Sequence, residues 1–297
     1  MKYRFIQDHT AAFDVVCLCR ALEIKRSAYY EWLKAGPSAR KQEDEAIKDE
    51  IKAINEKSRS REGHRPFQHH LRDRGIHCGR DRTLRLMKEL NLGGVQQKGF
   101  KPVGTDSNHQ YGYSPNLLKE LGFPTCCDEV WVTDTTYLAT TESWMYLATV
   151  MDLFSRRIIG WSLSSRNDTA LVSEALNAAV LTRGGDVCGT IHHSDRGSTY
   201  ASHAYMKRLD AHGLKPSMSA KGNCYDNAAM ESFYGRFKCS SIRESIFRST
   251  DEVRRHVFDY IEIFYNRFRK HSALGYQNPS IFEKIHIPPR GDVKKVA

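Results

Sequence analysis

EVWVTDTTYLATTESWMYLATVMDLFSRRIIGWSLSS, residues 129–165, holds three apolar-rich runs of strand length: Glu129–Thr140, Trp144–Phe154 and Arg157–Ser165. Runs rich in Val, Ile, Thr and aromatic residues, parted by short breaks, predict an antiparallel meander. Toward the C-terminus the period changes. Asp168–Arg183 carries Ala170, Leu171, Ala175, Leu176, Ala179 and Val180 at helical spacing, behind Asp168 or Asn167 as cap. A strand at Gly189–His193, a helix at His203–His212 closed by Gly213, a strand at Lys215–Ser219 and a helix at Asn227–Ile242, capped by Asp226, complete the run. This order makes an α/β layered domain. Thr250 is read as the cap of a last long helix, Asp251 to about Lys270.

Toward the N-terminus the pattern is helical. Residues 12–34 read as two short helices, Ala12–Leu22 and, after Ser27 as cap, Ala28–Leu33, ended by Gly36-Pro37. Residues 40–57 form a charged helix with Ala46, Ile47, Ile51 and Ile54 inward. Gly63 to Asn91 reads as a helix pair. Its second member, Arg80–Leu90, turns Leu84, Leu86, Met87 and Leu90 inward and leaves Arg80, Arg82, Arg85 and Lys88 largely exposed, the shape of a helix–turn–helix DNA reader. Gly99–Pro124, rich in Gly, Pro, Ser and Asn, is a linker or extended arm.

The net charge of +10 over 297 residues is unevenly placed. Residues 57–101 carry 12 basic against 4 acidic groups and residues 236–297 carry 13 against 7, whereas residues 131–235 carry 9 against 10. Two basic zones flanking a slightly acidic middle predict a polyanion partner. No secretory or membrane-spanning segment is present, the eight cysteines form no CxxC pair, and there is no phosphate-binding GxxxxGK[ST] loop. The expectation is a cytoplasmic, nucleoid-associated protein with free thiols and no membrane contact.

Three acids stand out by position. Asp134 lies inside a predicted strand, Asp195 closes another, and Glu231 sits on a helix. A carboxylate within an apolar strand is costly unless it is paired or binds a cation. An Asp at a strand's C-terminal end, followed by Gly197, stands where α/β proteins place their sites. If the elements converge, hard divalent cations, Mg²⁺ or Mn²⁺, suit the all-oxygen donor set. Two ions about 3.5–4 Å apart would clamp a phosphodiester. Asn227 and Lys238, at i−4 and i+7, share the stripe of Glu231, while Phe233 and Phe237 line a face that can bury.

WVTDTTYL (131–138), YLATVMDLFSRRIIGWSLS (146–164), IHHSDRGSTYAS (191–202), SMSAKGNCYDNAAMESFYGRFK (217–238) and YIEIFYNRFRKHSALGYQNPSIF (260–282) resemble the OrfB-type insertion-sequence transposases of the retroviral-integrase-like DDE superfamily. Between Asp195 and Glu231 lie 35 residues, the spacing of that group, and Lys238 is the basic residue seven after the Glu. The resemblance implies a ribonuclease-H-like catalytic domain, a mixed five-stranded sheet with flanking helices, preceded by a helical, helix–turn–helix-like N-terminal region. It implies a metal-binding catalytic triad of Asp134, Asp195 and Glu231 holding two Mg²⁺ (or Mn²⁺). The activity implied is cleavage of the element's ends by water, then transfer of the freed 3′-OH to target DNA. The implied partners are terminal inverted repeats, target DNA, further copies of the chain, and an upstream-frame OrfA protein or fusion supplying a zipper. The expected division is 1–58 helical region, 59–100 helix–turn–helix-like segment, 101–127 linker, 128–243 catalytic core and 244–297 basic helical extension.

With no protein nucleophile needed, Ser194, Ser198 and Tyr200 are read as structural. Asp152 is expected to pair with Arg156 or Arg157, His192 and His193 to make orienting hydrogen bonds, and Asp226 to cap its helix. His69, His70, His77 and Cys78 lack zinc spacing. In the cluster Tyr265, Asn266, Arg267, Arg269, Lys270 and His271, the Arg and Lys groups are candidate phosphate contacts, with Tyr265 and Phe268 packing. Arg80, Arg82 and Arg85, with Asn227 and Lys238, complete the expected DNA contacts. The second helix pair departs from the family's Tyr-Gly opening with consecutive Arg residues: here it reads Glu62-Gly63-His64-Arg65-Pro66-Phe67, and Pro66 fits only a first helical turn. Two other functions fit the same residues: a non-catalytic DNA-binding regulator derived from a transposase, and a ribonuclease-H-like nuclease or resolvase that cuts without joining.

Overall fold

The computed structural model describes residues 1–36, 38–93, 112–141, 143–219, 228–242 and 247–286. Helices α1 (Lys2–His9), α2 (Val15–Ala21) and α3 (Arg26–Ala35) pack around Ile6, Leu18, Cys19 and Tyr29. Helices α4 (Ala39–Ser58), α5 (His64–Asp73) and α6 (Arg80–Glu89) enclose Ile47, Ile51, Ile54, Phe67, Leu71 and Leu86. The short α7 (Leu118–Leu121) precedes the meander β1 (Val130–Ala139), β2 (Trp144–Asp152) and β3 (Ile158–Ser164). Then come α8 (Thr169–Thr182), β4 (Ile191–Ser194), α9 (Ser198–Ala201), α10 (His203–Ala211) and β5 (Lys215–Met218). Helices α11 (Ala228–Ile242) and α12 (Thr250–Phe258), a π-helical stretch Asp259–Tyr265 and α13 (Pro279–His286) follow.

The five strands form one mixed sheet of order β3-β2-β1-β4-β5, antiparallel in the meander and parallel from β1 to β5. Alternation along β1 divides the core. Val130 and Val132 point to the face that Met230, Phe233 and Phe237 of α11 cover, and Trp131 points to the opposite face, against Leu171, Ala175 and Ala179 of α8. A central strand buried on both faces needs apolar residues at successive positions, and Val130, Trp131 and Val132 supply them.

Gly160 sets the closest approach of sheet and helix. A Cβ there would stand 2.3 Å from the Ala175 carbonyl oxygen and 2.5 Å from the Ala179 nitrogen, both backbone atoms of α8. The β2–β3 register shifts beside it, between Val150 and Met151. Gly160→Ala must push α8 off the sheet. The expected cost is about 1–3 kcal/mol, read as a lower denaturant midpoint; an unchanged midpoint would contradict this contact.

The strand expectations hold to within a residue or two, and Asp168 caps α8 by accepting the Leu171 amide at 3.1 Å. Other local expectations are corrected. α1 was not anticipated, because only Ile6 of its eight residues buries. α3 starts at Arg26 behind Lys25, so Ser27 is inside it, and Ala46 of α4 is exposed. Ser249 caps α12, since its hydroxyl accepts the Glu252 amide at 3.3 Å, and Thr250 is the first helical residue. The long C-terminal helix is α-helical only to Phe258 and then widens to π geometry. Asp226 and Asn227 lie outside the described residues, as do residues 101–111 of the expected linker. The part after it runs along the edge of β5, where Met218 N donates to Pro115 O and Leu117 N to Ser217 Oγ.

The C-terminal segment folds back on the helices. Asp259 receives Arg59 at 2.6 Å and Arg61 at 3.0 Å, Glu62 receives the Lys270 amide at 3.0 Å, and Lys270 pairs with Asp73. Pro66 sits in the first turn of α5, as its ring requires. No helix among the described residues is long and apolar enough to cross a membrane.

Candidate active site on the central sheet

The parallel β1–β4 ladder pairs Val130 with Ile191, Trp131 with His192 and Val132 with His193. Continued by two residues, that register sets Asp134 level with Asp195, where β4 has just ended. Alternation turns Asp134 to the face of Val130 and Val132, the face crossed by α11, and the charge of Asp195 reaches it there. Glu231 lies in the first turn of α11. Three acids from three separate segments thus lie toward one end of the sheet, near enough for Asp195 and Glu231 to act on the charge of Asp134.

The electrostatics of Asp134 register this meeting. Its carboxyl is pushed up to about 8, first by burial, then by the negative charges of Asp195 and Glu231; the Thr135 amide and Lys238 act the other way. Each aspartate gives one oxygen to its own backbone: Thr135 N donates to Asp134 Oδ1 at 2.7 Å and Gly197 N to Asp195 Oδ1 at 2.9 Å. Glu231 is exposed. Among the described residues, no three acidic, His or Cys side chains are gathered closely enough to hold one metal ion. This agrees with the expectation that such a cluster repels itself until divalent cations fill it: three unneutralised carboxylates share a field without sharing one coordination shell. The donor set and the excess negative charge still fit a hard divalent cation.

A folded-state carboxyl raised to about 8, well above the ordinary carboxylate range, gives a definite sign. Its stabilising contribution is complete below about pH 4 and is lost as the pH rises through about 8. Thermal melts in chelator should therefore show Asp134→Asn gaining on the parent chain between pH 5 and pH 9. A gap that stays constant with pH would contradict the raised carboxyl.

Tyr234 ties α11 to this site, and sequence reasoning missed it. Its hydroxyl donates to Asp134 O at 2.7 Å, lies 2.9 Å from Thr149 Oγ1, and is fully enclosed. It stands three residues beyond Glu231, on the wall formed by Phe233 and Phe237, which bury as expected. The only signal was an aromatic with a polar tip on a burying face. Lys238 rests 4.4 Å above the Tyr137 ring, and burial lowers its ammonium while Asp134 opposes that.

The neighbouring polar residues make contacts within the fold. His192 is enclosed, 3.1 Å from Tyr205 OH, and burial lowers it to about 3, so it is neutral. His193 lies 2.9 Å from Ser217 Oγ and 3.4 Å from Ser219 Oγ. Ser194 Oγ donates to Asp195 O, and Tyr200, 3.3 Å from Thr133 Oγ1, is held as a phenol by burial. Asp152 pairs with neither Arg156 nor Arg157. It accepts the amides of Asp128 and Ser155, both at 2.7 Å, and its charge partner is Arg183 at 3.6 Å. The tight turn Leu153–Arg157 explains the correction: it brings the Ser155 amide onto Asp152, while Arg157 reaches across to Glu283 at 2.5 Å.

Several expected DNA contacts already have partners within the fold. Arg82 bridges Glu43 and Asp44, and Arg85 bridges Asp44 and Glu89, so α4 supplies acids that the local count of charge did not include. Arg82 is only partly exposed as a result. Arg80 stays outermost, beside Asp81. Arg269 is buried 5.3 Å above the Tyr265 ring, and Lys270 meets Asp73. Arg267 is exposed. Tyr265 packs as expected, and Asn266 bonds both backbone groups of Ile158. His70 meets Glu62 at 2.8 Å and His69 stacks on Tyr276.

Residues 124–224 and 212–279 match two models of the integrase core domain, and residues 41–100 match an HTH-like domain. The transposase InsF of insertion sequence IS3A from Escherichia coli K12 is 38% identical over 289 residues, covering 97% of this chain and 100% of that protein. The chain belongs to the IS3-family transposases. Another relative of this transposase, the 31 kDa protein of insertion element IS600 from Shigella sonnei, is 44% identical over 270 residues, covering 91% and 98% of the two chains. A simian T-cell lymphotropic virus intasome chain superposes with a TM-score of 0.47 at 12% identity, covering 77% of the transposase and 72% of that chain. The magnesium-bound HTLV-2 integrase catalytic core gives 0.41 at 14%, covering 55% and 98%. The sheet of this transposase is thus the mixed five-stranded, ribonuclease-H-like sheet of an integrase core, behind an HTH-like helical region.

Proposed function

We propose that this transposase cleaves the ends of its own insertion sequence and joins the freed 3′-OH to target DNA, with Asp134, Asp195 and Glu231 as its catalytic carboxylates. The observation that carries the proposal is the position of Asp134 on β1 level with Asp195, just past the end of the adjacent parallel β4, with the charges of Asp195 and of Glu231 on α11 both raising Asp134. These carboxylates would hold Mg²⁺ or Mn²⁺, two ions for a phosphodiester clamp. The cation, when bound, polarises the phosphoryl group and favours the deprotonated attacking oxygen.

The protein's own contribution is positioning and charge. Tyr234 fixes α11 against β1, so Glu231 is carried at a set height above Asp134. Lys238, two turns on, offers an ammonium to a DNA phosphate bound along α11. Tyr200 is enclosed and His192 is enclosed and only weakly basic, so neither competes as nucleophile or base there. The exposed Arg80, Arg85 and Arg267, the partly exposed Arg82, and Asn227 are proposed outer contacts to the terminal repeats and the target. Pairing two ends would take at least two copies, with an upstream-frame OrfA protein as a further partner.

A labelled duplex bearing the element's end, incubated with Mg²⁺ and an unlabelled target, tests this. Labelled products longer than the substrate support joining. Shortened products alone would favour the nuclease function, and binding without any product the regulator.

A further inference from the structure

A second charged site lies away from the three carboxylates. A cavity of about 30 Å³ opens between the end of α4, the middle of α11 and the π-helical stretch. Its walls include Arg61, Arg236, Arg269, Ser240, Tyr260 and Phe264. Arg61 is anchored by Asp259 at 3.0 Å and lies over the Tyr260 and Phe264 rings at 5.4 and 5.1 Å, with its side chain 6% exposed. Arg269 is 9% exposed, Arg236 stands exposed at the mouth, and neither has a carboxylate within ion-pair distance among the described residues. Ser240, 7% exposed, has a buried Oγ with no hydrogen-bond partner among the described residues.

Arg236 and Arg269, crowded beside Arg61 with no carboxylate of their own, are costly, and an orphaned buried hydroxyl adds to that cost. Only an anion relieves both. Guanidinium forks converging from different segments suit a tetrahedral oxyanion, which can accept several N–H bonds at once. The surroundings deepen the need: burial and the charges of Arg269, Arg156 and Arg236 together lower nearby His271 to about 3, so it stays neutral. We infer that this cavity is a phosphate-binding site, with Arg236, Arg269 and Ser240 Oγ as the contacting groups and Arg61 as its positively charged wall. The phosphate belongs either to a DNA backbone passing over α11 or to the free anion. In both cases it would lock the helical region, α11 and the C-terminal segment together. The site does not depend on the strand-transfer proposal.

The test uses the full chain, Arg236→Gln and Ser240→Ala. Inorganic phosphate should raise the melting temperature of the parent chain above that in chloride of equal ionic strength, by about 2–4 °C at several times its dissociation constant. That gain should vanish in R236Q and shrink in S240A. A parallel titration measures duplex binding against salt. If the phosphate is DNA's own, R236Q lowers the log–log slope by about one; an unchanged slope with the phosphate gain lost assigns the free anion. Equal melting in phosphate and chloride with an unchanged slope would overturn the site. So would a phosphate gain that survives both substitutions.

Discussion

Asp134→Asn, Asp195→Asn and Glu231→Gln should each abolish cleavage and joining, by a thousandfold or more, while the chain still folds and still binds the element's end. The size follows from what each carboxylate does. Phosphoryl transfer asks a protein mainly to place charge against charge, and removal of one preorganised electrostatic contact typically costs about 10²–10³ in rate. A carboxylate that also holds the cation removes more, because the ion itself is lost or displaced. The fold should be indifferent or gain, since Asp134 is half-buried beside two like charges. Joining assays together with gel-shift binding separate the two effects. A variant that retains joining within tenfold would remove its residue from the site.

The second large effect is on stability. Glu283, on α13 and 4% exposed, receives Arg183 Nη1 at 2.6 Å, Arg157 Nη1 at 2.5 Å and Ser155 Oγ at 3.1 Å. Arg183, just past the end of α8, also reaches Asp128 at 2.7 Å and Asp152 at 3.6 Å. This network fastens the last helix to the edge of the sheet behind the candidate site. Glu283→Ala leaves two guanidinium groups in place with their main acceptor gone, one of them buried. Breaking one member of a buried pair typically costs about 3–5 kcal/mol, on the order of 10 °C in melting temperature. Burial raises the Glu283 carboxyl, but Arg183 and Arg157 more than reverse that, so it lies below its usual value. Its contribution is therefore full at neutral pH and lost as the pH falls through that lowered value. Calorimetry at pH 7 would show the loss; a shift under 2 °C would mean that Asp128 and Asp152 alone hold Arg183.

These two regions mark how far the residues could be read without coordinates. The meander, α8 with its Asp168 cap, and the placing of Asp134, Asp195 and Glu231 follow from local patterns. Period-two and period-3.6 apolar spacing fixes which face of each element is buried. Once faces are fixed, a lone acid in an apolar strand stands out. The Tyr234 hydroxyl on the Asp134 carbonyl and the Arg183–Glu283 contact were not legible, because their partners lie 100 residues apart and no periodicity encodes them. Charge was misjudged for the same reason. Arg82 and Arg85 looked free within residues 57–101, yet Glu43 and Asp44 of α4 lie against them once the helices pack. The π-helical widening after Phe258 escaped too, since Asp259–Tyr265 carries no Pro or Gly to mark a change of geometry. Arg269 was drawn inward by the same C-terminal segment that covers the helical region.

The central claim is that Asp134, Asp195 and Glu231 together make one divalent-cation site. Crystals of the transposase soaked in Mn²⁺ and measured for anomalous scattering test it most directly. The expected result is manganese in contact with the Asp134 and Asp195 carboxylates, with Glu231 drawn in toward it, and no such peak in Asp134→Asn. Manganese bound elsewhere, with those three carboxylates unliganded at saturating ion, would contradict it.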